Sequence, residues 1–493
     1  MSSRKASAMR LGDAELLKFC VANINQLSFL NTASTGALQR LAETPEAKDG
    51  SSDFLDGQKE IEDLWVQLFI DAIHALKIRD KREKAGQQEF DRRPETEQQA
   101  ARSQNVFGIS QLRSYFRDFT DFESVLYGIE RSYRDHVAHV IRVWLIGVCL
   151  LVKQAPNDKL AIDHLLMDIP LPPSKSSDPH LGAAASITTQ ERWAMWTVVA
   201  LGHDLGYPLE KTRKVNDVVD RMLRHFGDVS TSRYRYSFQG QHQFLNDVTL
   251  RVLSSRLELL KIPVPIGNAD AICEAKYTTL VQPKYHTKFA HSLEDFHHGV
   301  ISCLVLMKTL VYFKETDYDT GSALGLEDAR QFYIRSHMLR AVASHTCPDI
   351  YHLRISTLSF VLILCDELQE WGRPTFREMK LGLGQASGAS EVVVNECDFS
   401  KGSFRARLKY KGGPLDEKQV LSKFETFHRL LRAAIDDKKR DLKFGWEITG
   451  DRSYVFEYDS RRGPFQEMSL SRDGEPITSL LYGRDSAPQV PTA

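Results

Sequence analysis

The sequence predicts a mainly α-helical protein with a small α+β domain near its C-terminal end. From about residue 57 to residue 370, apolar side chains recur at steps of three and four, which is the period of an α-helix. Several of these segments are apolar on nearly every side, as is typical of helices buried in a core. Beyond residue 390 the period changes, because apolar and basic residues alternate from 404 to 410 as they do in a β-strand.

The length of 493 residues indicates more than one domain. We expect a helical N-terminal region (1–110), a helical domain (111–380), a Gly- and Ser-containing linker (381–390), an α+β domain (391–482) and a disordered tail (483–493). The formal net charge is −1, so no overall field attracts nucleic acid, and such a partner is disfavoured. The basic face of the 404–410 strand could bind RNA or DNA locally. The simpler interpretation is that it is an exposed face of the sheet.

The individual elements follow from the period and from helix-end signals. In chain order, helices are expected over 11–30, 57–79, from 135, over 190–203, 211–227 and 243–260, from 292, over 327–345 and from 355. Thr188 or Thr189 can cap the 190–203 helix, with Glu191 in its first turn. The polar residues 35–52 are expected to form a loop. In the α+β domain we expect two strands, a helix and two further strands.

The adjacent pair His203-Asp204 ends one of the apolar helices. Imidazole nitrogen and carboxylate oxygen are both standard ligands for first-row divalent ions. Neighbouring side chains on a helix diverge by about 100°, so two of them reach one ion only near a helix end. By itself the pair is equally explained by a histidine that interacts favourably with the helix dipole.

Other apolar helices carry polar residues suited to the same site. His136 and His139 are three residues apart at the entry to a buried helix, and each needs a polar partner or a metal there. Asp366 directly follows an apolar run, where an unpaired carboxylate is costly. The remaining candidates are His298, which precedes Gly299, and His345 at the end of the 327–345 helix. A glycine beside His298 permits close approach of the backbone.

Taken in order, these residues resemble the ligand set of the HD phosphohydrolase superfamily, whose core is a helical bundle around one or two divalent metals. The resemblance covers roughly residues 125–375. It is carried by the segments RDHVAHVIRVWLIG, ALGHDLGYPLEK, DFHHGVISCLVL and LSFVLILCDELQEWGRP. Because the order of motifs is more specific than any one of them, the 111–380 segment is identified as an HD-type metal-binding domain.

The resemblance implies a division of the ligands between two sites. His139, His203, Asp204 and Asp366 would hold the first metal, with His136 as an alternative to His139. His298 and His345 would complete a second site, which Asp204 would bridge. Mn, Fe, Co, Ni or Zn suit such ligands, with Mg as a further option. Asp204, His298 and Lys211 are the candidate catalytic residues. Lys211 and Arg373 are candidate phosphate contacts, although either can equally be a solvated surface cation.

The implied reaction is metal-assisted hydrolysis of a phosphate ester or anhydride in a phosphorylated small molecule, such as a nucleotide. Tyr207 stands where cyclic-dinucleotide phosphodiesterases of the superfamily usually carry Lys, so that substrate is not implied. The alternative function is a non-catalytic, metal-stabilised nucleotide sensor or scaffold. Self-association into a homo-oligomer is left open.

The cysteines and apolar runs predict a cytoplasmic protein. The seven cysteines form no CxxC pair, and most lie in apolar runs, as is typical of reduced thiols in a cytosolic protein. The longest apolar runs, around 144–152 and 300–313, are too short to cross a bilayer. We therefore expect no membrane association.

Overall fold

A computed structural model gives the structure of the chain. It describes residues 8–43, 58–77, 106–129, 135–152, 160–165, 169, 185–227, 241–260, 276–315, 323–350, 353–372, 389–399, 401–410, 415–432, 434, 441–462 and 467–478. Helices predominate among them, and a sheet follows towards the C-terminal end, so the mainly α-helical class with a small α+β part is confirmed. None of the described helices is long and apolar enough to span a bilayer.

Three α-helices lie in the described segments of the N-terminal part: α1 (Asp13–Ala22), α2 (Thr32–Glu43) and α3 (Gln58–Lys77). α2 occupies much of the segment expected to be a loop, so that expectation is wrong. Asp71 of α3 accepts hydrogen bonds from the Ser34 hydroxyl at 2.7 Å and from the Asn31 backbone N–H at 2.9 Å. Asp71 of α3 therefore stabilises the start of α2, a helix that its polar sequence does not indicate.

The helical domain is built around two buried helices. Among the described residues its α-helices are α4 (Ile109–Ile129), α5 (Val137–Leu151), α6 (Thr189–Gly202), α7 (Tyr207–Leu223), α8 (Gln241–Ser254), α9 (Pro283–Glu294), α10 (His298–Thr309), α11 (Leu326–Ser344) and α12 (Leu358–Leu368). Every residue of α5 is buried, as are all but the first two of α6. These two helices form the centre of the core, and their ends carry the polar residues singled out in the sequence.

The N-terminus of α6 is fixed by a capping box. Thr188 accepts a hydrogen bond from the backbone N–H of Glu191 at 3.3 Å, and the Glu191 carboxylate accepts one from the Thr188 N–H at 2.8 Å. Of the two caps left open by the sequence, Thr188 is therefore the one used. The box satisfies donors at the helix N-terminus that would otherwise be unpaired in the core.

The helix expected from Ser292 is interrupted. α9 ends at Glu294, Phe296 has a positive φ of 58°, and a new helix, α10, begins at His298. The expectation that both His297 and His298 lie within one helix is therefore wrong. The break places His298 in the first turn of α10, and Gly299 beside it lets α10 approach α11, since a Cβ there would lie 2.6 Å from the Val342 carbonyl oxygen.

Gly147 is required by the packing of α5 on α6. A Cβ at this position would lie 2.0 Å from the ring of Trp196, whose indole N–H donates to the Trp144 carbonyl at 3.2 Å and cannot move aside freely. We expect Gly147→Ala to lower the free energy of unfolding by about 1–3 kcal/mol through overpacking. Urea denaturation measures the difference.

Gly36→Ala is the matched control for this substitution. Gly36 lies inside α2, where a Cβ would meet its nearest neighbour, Arg40, at an ordinary 3.5 Å. Alanine at a helix interior position is favoured over glycine, so this variant is expected to gain roughly 0.5–1 kcal/mol. Loss of stability in both variants, to the same extent, would contradict the proposed close contact at Gly147.

The strands are β1 (Met9–Leu11), β2 (Ser255–Leu260), β3 (Lys276–Val281), β4 (Ala389–Asp398), β5 (Ser403–Tyr410), β6 (Lys443–Thr449), β7 (Ser453–Asp459), β8 (Met468–Arg472) and β9 (Glu475–Pro476). β2 and β3 pair with each other as an antiparallel ribbon, so the helix expected over 243–260 ends at Ser254. The other described strands form one sheet in the order β1-β4-β5-β6-β7-β8-β9. Neighbours are antiparallel except β5 and β6, whose parallel pairing is connected through α13 (Glu417–Arg432).

Two details of the α+β unit differ from the sequence-based boundaries. β4 begins at Ala389, inside the expected linker of 381–390, whose first eight residues lie outside the described residues. β1, from the N-terminal region, pairs with β4, so that region is not wholly helical. A three-residue strand is too short to show a period, which explains why the sequence does not reveal it. The expected disordered tail, 483–493, also lies outside the described residues.

The basic face of β5 is opposed by acidic neighbours on both adjacent strands. The directly opposite pairs are Lys409–Glu391, Arg405–Glu396 and Arg407–Glu447. Directly opposite residues lie on the same face of a sheet and compensate each other's charge. This strand therefore presents mixed charge, which favours the exposed sheet face over a nucleic-acid site.

Candidate metal centre

Six polar side chains from five helices meet at one place, each at or near a helix end. They are His139 in the first turn of α5, His203 at the C-cap of α6 with Asp204 after it, His298 at the start of α10, His345 at the C-cap of α11 and Asp366 in the last turn of α12. Helix ends are where the chain can turn a polar side chain inward without interrupting an apolar helix face. All six metal ligands expected from the sequence are thus brought together.

Asp204 lies between two pairs of imidazoles. Its Oδ2 atom is 3.4 Å from His203 Nε2 and 3.6 Å from His139 Nε2. Its Oδ1 atom is 3.2 Å from His298 Nε2 and 3.7 Å from His345 Nε2. One carboxylate therefore faces both pairs, with one oxygen towards each, which is the arrangement that a carboxylate shared by two ions requires.

The remaining separations also suit metal ligation. His139 Nε2 is 2.9 Å from Asp366 Oδ1, and His298 Nε2 is 3.2 Å from His345 Nε2. Ligand bonds of about 2.0–2.2 Å place the atoms around one ion roughly 3–3.5 Å apart. Two groups have ligand atoms within 4.8 Å of one another and could each hold an ion: His139, His203 and Asp366, and His203, Asp204 and His345.

All four imidazoles use their Nδ1 atom for a supporting hydrogen bond. His139 donates to Gln369 Oε1 at 2.7 Å, His203 to the Ala200 carbonyl at 2.8 Å, His298 to Glu210 Oε2 at 2.6 Å and His345 to the Val342 carbonyl at 2.5 Å. Because each acceptor is a carbonyl or carboxylate oxygen, Nδ1 carries the proton. The Nε2 atoms then point into the cluster, which is how metal-ligating histidines are oriented in proteins.

His203 gives a specific test of whether the cluster fits a cation. Its side chain is completely buried, and its Nε2 atom makes no hydrogen bond with any described residue. Burial lowers the pKa of His203, which keeps the imidazole neutral and its Nε2 lone pair available. A buried lone pair without a donor is unfavourable unless a cation occupies the space in front of it, so the residues present fit a metal ion.

The charges around the cluster favour a cation as well. Burial raises the pKa of Asp204, but the imidazoles of His203, His298 and His345 outweigh it and hold the pKa well below its usual range. Burial by itself would lower the pKa of His298. The carboxylates of Asp204 and Glu210 have the larger combined effect and raise this pKa to about 9. The carboxylates are thus ionised, and positive charge is stabilised between them.

Two histidines close to the candidate ligands in the chain have other partners: His136, the alternative to His139, and His297, which precedes His298. The Nδ1 atom of His136 is 3.5 Å from Glu123 Oε1, and its ring stacks on Tyr207 with centroids 3.8 Å apart. His297 Nδ1 is 3.0 Å from the Ser292 hydroxyl. Neither belongs to a group that could hold an ion among the described residues, so His139 and His298 are the better candidates.

Lys211, the candidate phosphate contact, lies one helical turn from the start of α7. Its Nζ atom is 2.7 Å from Glu210 Oε1 and 4.4 Å from the centre of the Tyr207 ring. It therefore contacts the residue that supports His298, rather than a ligand directly. Arg373, the other candidate, lies outside the described residues.

Sequence reasoning missed the residues that orient the ligands. Gln369 follows Asp366 by three positions, so helical spacing alone could have indicated it. Glu210 and Ser302 gave no such signal, because Glu210 meets His298 through the packing of α7 on α10, and Ser302 meets the turn between α6 and α7. The Ser302 hydroxyl lies 2.7 Å from the His203 carbonyl oxygen and accepts from the Gly206 N–H at 2.7 Å.

Gln369 connects the cluster to a buried ion pair. Its side-chain amide donates to the Trp371 carbonyl at 2.6 Å, and the Trp371 indole N–H donates to Asp13 Oδ1 at 2.8 Å. Asp13 pairs with Arg142, which also donates to the Gly372 carbonyl at 2.6 Å. The end of α12, the N-terminal helix α1 and the ligand-bearing α5 are thereby joined.

Gln369→Leu is expected to weaken metal binding by about 10–100-fold, the usual effect of removing a hydrogen bond behind a ligating histidine. The leucine cannot accept the His139 Nδ1 proton, so the ring loses its fixed orientation. Competition with a metallochromic chelator measures the affinity. Gln419→Leu, an exposed position on α13, is the control, and equal affinity in the two variants would contradict this role for Gln369.

Comparison with protein-family models, with curated proteins and with solved structures finds no match. The chemical interpretation of the cluster therefore depends on its own geometry: the six convergent ligands, the four donated Nδ1 protons and the unpaired His203 Nε2 atom. The resemblance to the HD superfamily stays a prediction.

Proposed function

We propose that this protein is a cytoplasmic, HD-type metal-dependent phosphohydrolase that hydrolyses an ester or anhydride bond in a phosphorylated small molecule such as a nucleotide. The observation that carries the proposal is the position of Asp204, with one carboxylate oxygen facing His139 and His203 and the other facing His298 and His345. This arrangement provides for two ions that share one carboxylate.

The residues that would hold the ions have distinct surroundings. His139, His203, Asp204 and Asp366 would hold one, and His298 and His345, with Asp204, the other. When bound, divalent ions activate water and offset negative charge on phosphoryl oxygens. The Asp366 side chain is 32% exposed and that of His298 15%, whereas His139 and His203 are almost completely buried. Asp366 and His298 are therefore the candidate ligands whose side chains are most accessible from outside the cluster.

Residues around the ligands would orient the imidazoles and accept hydrogen bonds from their Nδ1 atoms. Glu210 accepts hydrogen bonds from His298 Nδ1 at one carboxylate oxygen and from Lys211 Nζ at the other. These two bonds fix the position of its negative charge. Lys211 would add positive charge near the approaching phosphoryl group, as the sequence-based interpretation suggests. The Gln369 side chain would keep the His139 Nε2 lone pair directed at the cluster.

Metal analysis together with turnover tests the proposal. Mass spectrometry of the purified protein is expected to find two first-row ions per chain, falling to one or fewer in His298→Ala. The metal-loaded protein is expected to hydrolyse bis(4-nitrophenyl) phosphate, 4-nitrophenyl phosphate or a member of a nucleotide panel. One ion that is unaffected by His298→Ala would restrict the centre to a mononuclear site.

The same experiment separates the enzyme from the alternative function. A protein that binds metal and is stabilised by nucleotides, but hydrolyses no phosphate compound with Mn, Fe, Co, Ni, Zn or Mg, would be a sensor or scaffold. The complete ligand set favours the enzyme, since a purely structural ion needs no second group of imidazoles. Absence of bound metal after reconstitution would contradict both the phosphohydrolase and the metal-stabilised sensor or scaffold.

A further inference from the structure

A cleft of about 150 Å³ lies directly beside His345. One wall is the chain that leaves α11, over residues 344–348 and at Ile350, and another includes Ile363 of α12. The third wall comes from α13 in the α+β unit, through Thr426, Arg429 and Leu430. Residues separated by about 80 positions in the chain therefore form one depression, which is lined in part by the candidate ligand residue His345.

α13 is held against the metal-binding helices by a buried charge cluster. Lys423 Nζ is 2.6 Å from Glu370 Oε1 and 3.2 Å from Glu367 Oε2, and its side chain is only 10% exposed. Glu367 directly follows the ligand Asp366. Two partly buried carboxylates around one ammonium group define the position of α13, because losing either partner leaves a largely desolvated charge unpaired.

This anchoring determines which residues of α13 face the cleft. Positions three to four and seven residues after Lys423 lie on the same side of the helix, and Thr426 and Leu430 occupy that side. Arg429, beside Leu430, is exposed at the cleft, and no residue in the described part of the chain forms an ion pair with it. An unpaired guanidinium beside a candidate metal centre is available for a ligand.

The lining of the cleft suits an anion with an apolar attachment. None of its described lining residues is an Asp or a Glu, whereas it contains a guanidinium and three hydroxyls. The His345 side chain is only 2% exposed, so this residue contributes its main chain to the lining. The Thr346 hydroxyl accepts from the Gly299 N–H at 3.0 Å, which leaves its own proton to be donated. Ile363 and Leu430 add apolar surface on the α12–α13 side.

We propose that the α+β unit completes the substrate site, with Arg429 binding the phosphoryl oxygens of a phosphate ester that lies in the cleft beside His345. This inference rests on the proposed function. The cleft is about half the lower limit of roughly 300 Å³ that is typical for drug-sized ligands. It therefore accommodates one phosphoryl group and the adjacent part of its ester, not a polyphosphate chain.

Arg429→Gln tests this role, with Lys418→Gln as the matched control. Lys418 is exposed on the same helix, eleven residues away, which is about three turns and roughly 16 Å along the axis on nearly the same face. Both variants lose one positive charge, but only Arg429 lines the cleft. The measurements are metal content, binding of inorganic phosphate to the metal-loaded protein by calorimetry, and KM and kcat for bis(4-nitrophenyl) phosphate.

Arg429→Gln is expected to retain full metal content, to bind phosphate about tenfold more weakly and to raise KM more than it lowers kcat. Lys418→Gln is expected to match the wild-type protein. Unchanged phosphate binding and KM in Arg429→Gln, alongside normal hydrolysis by the wild type, would overturn the role of Arg429 and leave the proposed function intact. Phosphate binding that depends on Arg429 without any hydrolysis would support the anion site and overturn the hydrolase.

Discussion

Asp204→Ala is expected to lose both bound metal and hydrolytic activity while the protein remains folded. Each oxygen of this carboxylate lies within 3.7 Å of two imidazole Nε2 atoms, so its removal affects both parts of the cluster at once. Loss of the metals removes several kcal/mol of transition-state stabilisation, which corresponds to a fall in kcat/KM of roughly a thousandfold or more. Metal analysis and hydrolysis of bis(4-nitrophenyl) phosphate measure the two effects.

The control for Asp204→Ala is Asp217→Ala, which removes an exposed carboxylate from α7. It is expected to keep both metal and activity. Circular dichroism should give the same helical content for both variants and the wild type, because Asp204 lies at the end of α6 and not within a helix. Full activity in Asp204→Ala would show that the cluster is not the catalytic centre.

Arg142→Met is expected to cause the largest loss of stability, about 3–5 kcal/mol in the free energy of unfolding. Arg142 is only 1% exposed and donates to both oxygens of Asp13, at 2.9 and 2.8 Å. Its removal leaves the buried Asp13 carboxylate without its counter-ion and the Gly372 carbonyl without its donor. Urea denaturation of the metal-free protein measures the loss without a contribution from bound ions.

Two further variants identify the cause of that loss. Arg142→Met combined with Asp13→Leu is expected to recover a large part of it, because an apolar pair of similar volume has no desolvation cost. Arg461→Met removes an exposed ion pair with Asp459 and is expected to change stability little, since exposed pairs are weak. If the double variant were less stable than Arg142→Met, an unpaired buried charge would not be the explanation.

The ligands could be predicted because buried polar residues are conspicuous in apolar helices. His139, Asp204 and Asp366 interrupt runs in which an unpaired polar group is costly, so the sequence itself marks them as partners of something. The choice between His136 and His139 could not be made in this way. It depends on the rotation of α5, which directs His139 at Asp366 and His136 at Tyr207.

The contributions of distant segments could not be predicted, because they depend on packing rather than on local pattern. Glu210 reaches His298 across 88 positions of the chain, and no spacing rule connects them. α2 is a helix despite its polar sequence, and β1 joins a sheet whose other strands begin at Ala389. In each case the partner lies far away in the chain, so the local pattern carries no record of it.

Sequence alone determined the mainly helical class, the later change to an α+β unit and the set of six polar residues with the chemistry of metal ligands. These features depend on period and on the cost of burying charge, both of which are local properties of the chain. Only the tertiary structure decided that the six converge, that the Nδ1 atoms of the four histidines are all bonded outward, and that Arg429 of the α+β unit lines the same cleft as His345. Convergence is a property of how helix ends meet, and no single segment contains that information.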